Sequence, residues 1–161
     1  MNAKEKKALN WADGEWDNEP DEKAWIDDRT GYECRIRRND SMGFLCGYVV
    51  IPNNHAVNGL TPSDDGLGGV SVHGGITYSE ERLPHMMPRV EGGFDRIRPD
   101  GTLEGELNDW VIGFDCGHLR DFIPAVTAVT MLTDPAAYRN IEYVEAQCRQ
   151  LALQLKELND G

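Results

Sequence analysis

A chain of 161 residues is sized for one domain with an adequate core, and division into two would leave each half with little apolar surface to bury. Its formal charge of −12, from 28 acidic against 16 basic side chains, excludes a protein that tracks duplex nucleic-acid phosphates, which takes many Lys and Arg contacts. No stretch approaches the roughly 20 apolar residues that span a bilayer, and the opening MNAKEKKALNWADGEW has no apolar signal core, so a cytoplasmic protein with no membrane contact is expected.

In chain order, residues 1–31 read as a polar, acidic arm with one helical turn near residues 4–11. Segment 13–28 carries eight carboxylates against one lysine, yet also holds Trp16 and Trp25. A disordered acidic tail rarely carries indoles, so the arm is expected to pack on a single α+β domain formed by residues 32–161. In residues 32–37, Tyr32, Cys34 and Ile36 alternate with Glu33, Arg35 and Arg37, which predicts a strand with one wet face. Turn chemistry at 39–43 leads into a nearly continuous apolar run at 44–51, a central strand ended by Pro52. Residues 53–69 turn to Asn, Asp, Gly, Ser and Pro, marking a long loop with His55, Asp64 and Asp65; loops of this length are often functional. Strands are predicted at 70–78 and 110–116, with an irregular segment at 79–109 between them.

The last predicted element is a helix over about 135–158, with Asp134 as N-cap and Pro135 in the first helical position. Ile141, Val144, Cys148, Leu151, Leu155 and Leu158 fall at helical spacing and form the face that packs on the sheet. The expected fold is therefore α+β: a small mixed or antiparallel sheet of about four to five strands with a long C-terminal helix packed on it. Cysteines at 34, 46, 116 and 148 lack CxxC spacing and read as free thiols in a reducing compartment.

Chemistry concentrates in GFDCGHLRD at 113–121, where Asp115, Cys116, His118 and Asp121 follow an apolar run. On a strand continued to residue 118, Cys116 and His118 would share one face and Asp115 the other. In the predicted strand at 70–78, His73 precedes Gly74 and Gly75, whose missing side chains permit close approach by another backbone or a ligand. The candidate catalytic residues are His73, Cys116, His118 and Asp121, with either histidine as base, Asp121 orienting it and Cys116 as nucleophile or pocket wall. Candidate ligand contacts are His55, Tyr78, Glu80 and Arg120, the last as an anion contact. The same residue types also serve as core cysteine and satisfied core histidines, and Cys-x-His spacing is weak as a zinc signature, so no metal is assigned and no cofactor is named.

Five segments together resemble an uncharacterised family of small proteins from bacteriophage and prophage genomes: EPDEKAWIDDRTG at 19–31, GYVVIPNNH at 47–55, VHGGITYSE at 72–80, WVIGFDCGHLRDFIP at 110–124 and YRNIEYVEAQC at 138–148. The likeness covers most of the chain in order, and HGG combined with GFDCxHxxD is its specific part. It implies a phage origin and a shared site matched here by His55, His73, Cys116, His118 and Asp121, without assigning catalytic roles. The chain departs from the family between residues 79 and 110, where members often carry another Cys-His pair and this sequence offers only His85.

The expectation is a phage-encoded protein in the host cytoplasm that hydrolyses a small, phosphorylated ligand, with a nucleotide signal of host immunity as one candidate. Capture of the same ligand without turnover is the second reading. A third is an acidic interaction protein that blocks a host factor through its Trp-bearing arm, leaving the Cys-His cluster as core. A homo-oligomer is compatible with all three.

Overall fold

The computed structural model describes residues 11, 14–52, 55–80, 110–118, 120–125 and 137–160. Strands β1 (Glu22–Ile26), β2 (Glu33–Arg38), β3 (Leu45–Ile51), β4 (Tyr78–Glu80) and β5 (Trp110–Asp115) form one sheet in the order β1-β2-β3-β5-β4. Every pairing is antiparallel, and the helix α1 (Ile141–Asp160) packs across one face against β2 and β3. The architecture is the expected α+β fold.

β3 lies in the middle because it is apolar on both faces. Leu45, Val49 and Ile51 are almost wholly buried toward the helix, while Tyr48 and Val50 cluster with Val111 on the opposite face. Gly47 sets how near the helix comes: a Cβ there would fall 2.5 Å from the Phe114 ring and 2.7 Å from Cys148 Sγ. Val144, Cys148, Leu151, Ala152 and Leu155 supply the helix side of the core. Each large aliphatic side chain so withdrawn from water contributes about 1.5–3 kcal/mol. Leu158, one turn past the last buried position, is 39% exposed and drops out of the expected stripe.

β2 keeps its predicted alternation, but its charged face is not uniformly wet. Arg35 is 0% exposed, with the Glu33 carboxylate 3.7 Å from Nη1. Arg37 lies over Glu22 of β1 at 3.5 Å and bonds Asp40 in the following turn at 2.7 Å. Asn39 organises that turn: its side-chain oxygen accepts the amides of Ser41 and Met42, and Gly43 adopts φ +91°.

Residues of the acidic arm enter the sheet itself as β1. Lys23 donates to Glu145 at 2.9 Å, and the Arg149 guanidinium lies 5.3 Å above the Trp25 ring. Trp16 is 4% exposed, stacked on Phe122 at 5.3 Å and edge-on to Tyr138 at 4.8 Å. The predicted helical turn at 4–11 and the irregular segment 79–109 lie outside the described residues, apart from Trp11, Ser79 and Glu80.

Two predicted elements are corrected. The helix starts at Ile141, not near residue 135, and 137–140 is not helical. Asn140 is the cap, its side chain accepting the Tyr143 amide at 2.9 Å, while Glu19 from the arm accepts the Ile141 amide at 2.7 Å. Asp134 and Pro135 lie outside the described residues. The predicted strand 70–78 shares only Tyr78 with β4; 70–77 is a loop whose Val72 and Ile76 pack against the core cluster without joining a ladder.

Candidate functional site

The HGG segment is a turn. The Gly75 amide donates to the Val72 carbonyl at 2.9 Å, and Gly74 and Gly75 adopt φ +69° and +82°, values that L side chains rarely take. A polar stripe on α1 pins this loop. Gln147 accepts the His73 amide at 2.9 Å, and Gln154 exchanges two hydrogen bonds of 2.7 Å with the Ser71 backbone. The close approach permitted by the glycines is made by a side chain: a Cβ on Gly74 would sit 2.3 Å from His118 Cδ2.

His73 is held at both ring nitrogens. Nε2 lies 2.9 Å from each oxygen of Asp121, and Nδ1 lies 2.8 Å from the Tyr143 hydroxyl. A carboxylate only accepts, so in the neutral ring Nε2 carries the proton and Nδ1 accepts from Tyr143. The result is a hydroxyl, imidazole and carboxylate in series. Asp121 also accepts Arg139 Nε at 2.9 Å and the His118 amide at 3.1 Å. Burial alone would raise its carboxyl, but the donors from His73, Arg139 and the His118 amide outweigh it and hold the group below its ordinary value. Arg139 further lies 5.0 Å over the Tyr143 ring, with its side chain 28% exposed.

His118 follows the end of β5, its ring centroid 6.3 Å from that of His73 and inclined at 61°. The two imidazoles converge, although from a turn and a post-strand loop instead of from two strands. His118 Nε2 lies 3.2 Å from Asp115 Oδ1 but without hydrogen-bond geometry. Asp115 itself accepts the Gly117 amide and the Thr77 hydroxyl. The Asp121 amide closes a turn onto the His118 carbonyl at 3.0 Å, with Arg120 exposed at φ +77° between them. This outlier for a long side chain marks a turn fixed by its surroundings.

Four sequence candidates stand apart from this cluster. Cys116 lies beneath it, 1% exposed within the apolar core, and burial together with Asp121 pushes its thiol well above the ordinary range. A nucleophilic thiolate needs the opposite surroundings, so Cys116 is assigned to packing. His55 is locked elsewhere: Nε2 donates to the Leu155 carbonyl at 2.7 Å and Nδ1 accepts the Val57 amide at 3.1 Å. Leu155 is 12 residues along α1 from Tyr143, about 18 Å at 1.5 Å per residue, so His55 belongs to the helix's other end. Tyr78 and Glu80 face away from the helix; Tyr78 packs edge-on to Tyr48 at 5.5 Å, its phenol pushed up to about 12 by burial. Glu80 is exposed.

Sequence reasoning did not select Tyr143, Arg139 or Gln147. The available signal was their spacing of four in the sequence, although Arg139 lies just before the helix and only Tyr143 and Gln147 are on it. Among the described residues, no group of three or more His, Cys, Asp and Glu side chains is arranged to hold a metal ion. A shallow cleft of about 310 Å³ between 30–33 and 50–52 lies toward the opposite end of β3, away from this chemistry. No family model, curated protein or solved structure matches the chain.

Proposed function

We propose that the protein is a phage-encoded hydrolase of a small phosphorylated ligand, with a nucleotide signal of host immunity as the candidate substrate. The observation that carries the reading is the series from the Tyr143 hydroxyl through His73 to Asp121, at 2.8 and 2.9 Å. A water attacking phosphorus would give its proton to the Tyr143 oxygen as the Tyr143 proton passes to His73 Nδ1. The resulting imidazolium is stabilised by Asp121, already ionised and buried against it. Arg139, whose Nη groups make no hydrogen bond among the described residues, holds the anion. His118 lies beside His73, its ring centroid 6.3 Å away, and protonates the leaving oxygen. The phage assignment is supported by the motif likeness alone.

One observation favours capture without turnover: both His73 nitrogens are engaged by side chains of the protein itself, as in a rigid clamp. Incubation with a panel of cyclic nucleotides, followed by heat release and chromatography, separates the readings. Altered nucleotide supports hydrolysis; recovery of depleted but intact nucleotide supports capture; no depletion contradicts both.

A further inference from the structure

The N-terminal arm reaches the site through Glu19, whose side chain is 11% exposed. Glu19 Oε1 accepts the Tyr138 hydroxyl in a short hydrogen bond, and Oε2 accepts the Ile141 amide at 2.7 Å. The two contacts bracket Arg139, one at the residue before it and one two residues after it. Arg38, 1% exposed, braces the same carboxylate at 3.3 Å, donates to Tyr138 at 2.8 Å and ties itself to Asp21 at 2.6 Å and to the Gly43 carbonyl at 2.9 Å. Trp16 closes the far side by stacking on Phe122, next to Asp121. Segments 120–122 and 137 are themselves joined, since Ala137 donates to the Arg120 carbonyl at 2.9 Å and accepts the Phe122 amide at 2.8 Å.

We infer that Glu19 is a positioning residue for the site: by fixing Tyr138 and Ile141 it presents Arg139 to Asp121 and sets the first turn of α1, and hence Tyr143, in register with His73. Arg139 donates to Asp121 from between two residues held by Glu19, Tyr138 before it and Ile141 two positions after it, so loosening that tie frees the guanidinium from the carboxylate. Tyr143 lies in the turn that Glu19 caps together with Asn140. The arm is thus a working part of the site, acting at one remove from any ligand. The role assigned to Glu19 rests on the proposed function only for its effect on turnover; its effect on Asp121 is independent of it.

The test compares full-length wild type with Glu19→Ala and Glu19→Gln, following the Asp121 carboxyl by ¹³C NMR titration and the fold by circular dichroism. In Glu19→Ala the Asp121 midpoint rises by about 0.5 units or more as one of its donors is lost. Glu19→Gln, which keeps an oxygen for the Ile141 amide, shows a smaller rise of the same sign. An unmoved midpoint in folded Glu19→Ala overturns the assignment; should that variant fail to fold, an unmoved midpoint in Glu19→Gln does so. In the nucleotide assay, Glu19→Ala lowers kcat/KM by about 10-fold or more. Absence of turnover in wild type contradicts the proposed hydrolysis, while the Asp121 titration still decides the positioning role.

Discussion

Asp121 meets His73 with both carboxylate oxygens, each 2.9 Å from Nε2, and so fixes which ring nitrogen faces the Tyr143 hydroxyl. The carboxylate arrives from the loop after β5, the imidazole from a glycine turn and the phenol from the first turn of α1. No two of the three are close in sequence.

Tyr143→Phe removes the hydroxyl and leaves His73 Nδ1 without its donor. The expected stability loss is about 1 kcal/mol, the worth of one hydrogen bond, read from the denaturant midpoint. Turnover in the nucleotide assay falls about 10²–10⁴-fold, the usual contribution of a positioned acid or base. Retention of wild-type turnover by a folded Tyr143→Phe protein removes Tyr143 from the reaction.

Stability falls with acid in an upper window set by His55 and a lower one to which Asp121 contributes alongside Glu145, whose carboxyl is also held below its ordinary 4.5. His55 is held below its ordinary value of 6.5, chiefly by burial, so its contribution is complete above that pH and is lost as pH falls from 6.5 through the folded value. Asp121 is also held low, relative to 3.8, so its contribution is present above 3.8 and lost only below it. Thermal melts from pH 8 to pH 3 should show both limbs, and His55→Gln should lack the upper one. An upper limb that survives in His55→Gln would assign it to another group.

Much of the sheet was legible in the sequence because burial on both faces writes an uninterrupted apolar run, as in β3, and Pro52 marks its end. Segment 70–78 misled because Val70, Val72 and Ile76 carry strand propensity, whereas two left-handed glycines and the amide tie to Gln147 decide the backbone. The helix start was misplaced because Pro135 fits a first turn by local rule, while the observed start depends on Asn140 together with Glu19, over one hundred residues away in sequence. Arg139 and Tyr143 carried no mark of their own, because what makes them a site-facing pair is their contact with Asp121 and His73, distant in sequence. His73, His118 and Asp121 were singled out by residue type and lie together; His55 and Cys116 share those types, and only their tertiary surroundings place one against Leu155 and the other in the core.

Gly74→Ala forces a side chain into φ +69° and against the His118 ring. A loss of about 1–2 kcal/mol is expected, with displaced His118 ring resonances. In a His118→Ala background only the backbone strain remains, about 1 kcal/mol. Equal costs in both backgrounds would mean that the ring simply swings away.

Cys116 should be inert. In the native protein a small alkylating reagent leaves it unmodified over a period that labels all four thiols after denaturation, because the thiolate is disfavoured and the sulfur is enclosed. Cys116→Ala retains turnover and costs about 1 kcal/mol through the cavity it leaves. Rapid native labelling of Cys116 with loss of turnover would restore it as a nucleophile.

The tautomer of His73 is read from a long-range ¹H–¹⁵N correlation spectrum of its ring at neutral pH, assigned by comparison with His73→Gln. A single neutral tautomer is expected, with the proton on Nε2 and Nδ1 as a hydrogen-bonded acceptor that changes when Tyr143 is replaced by Phe. A proton on Nδ1, or a ring averaging freely between tautomers, would contradict the series from Tyr143 through His73 to Asp121.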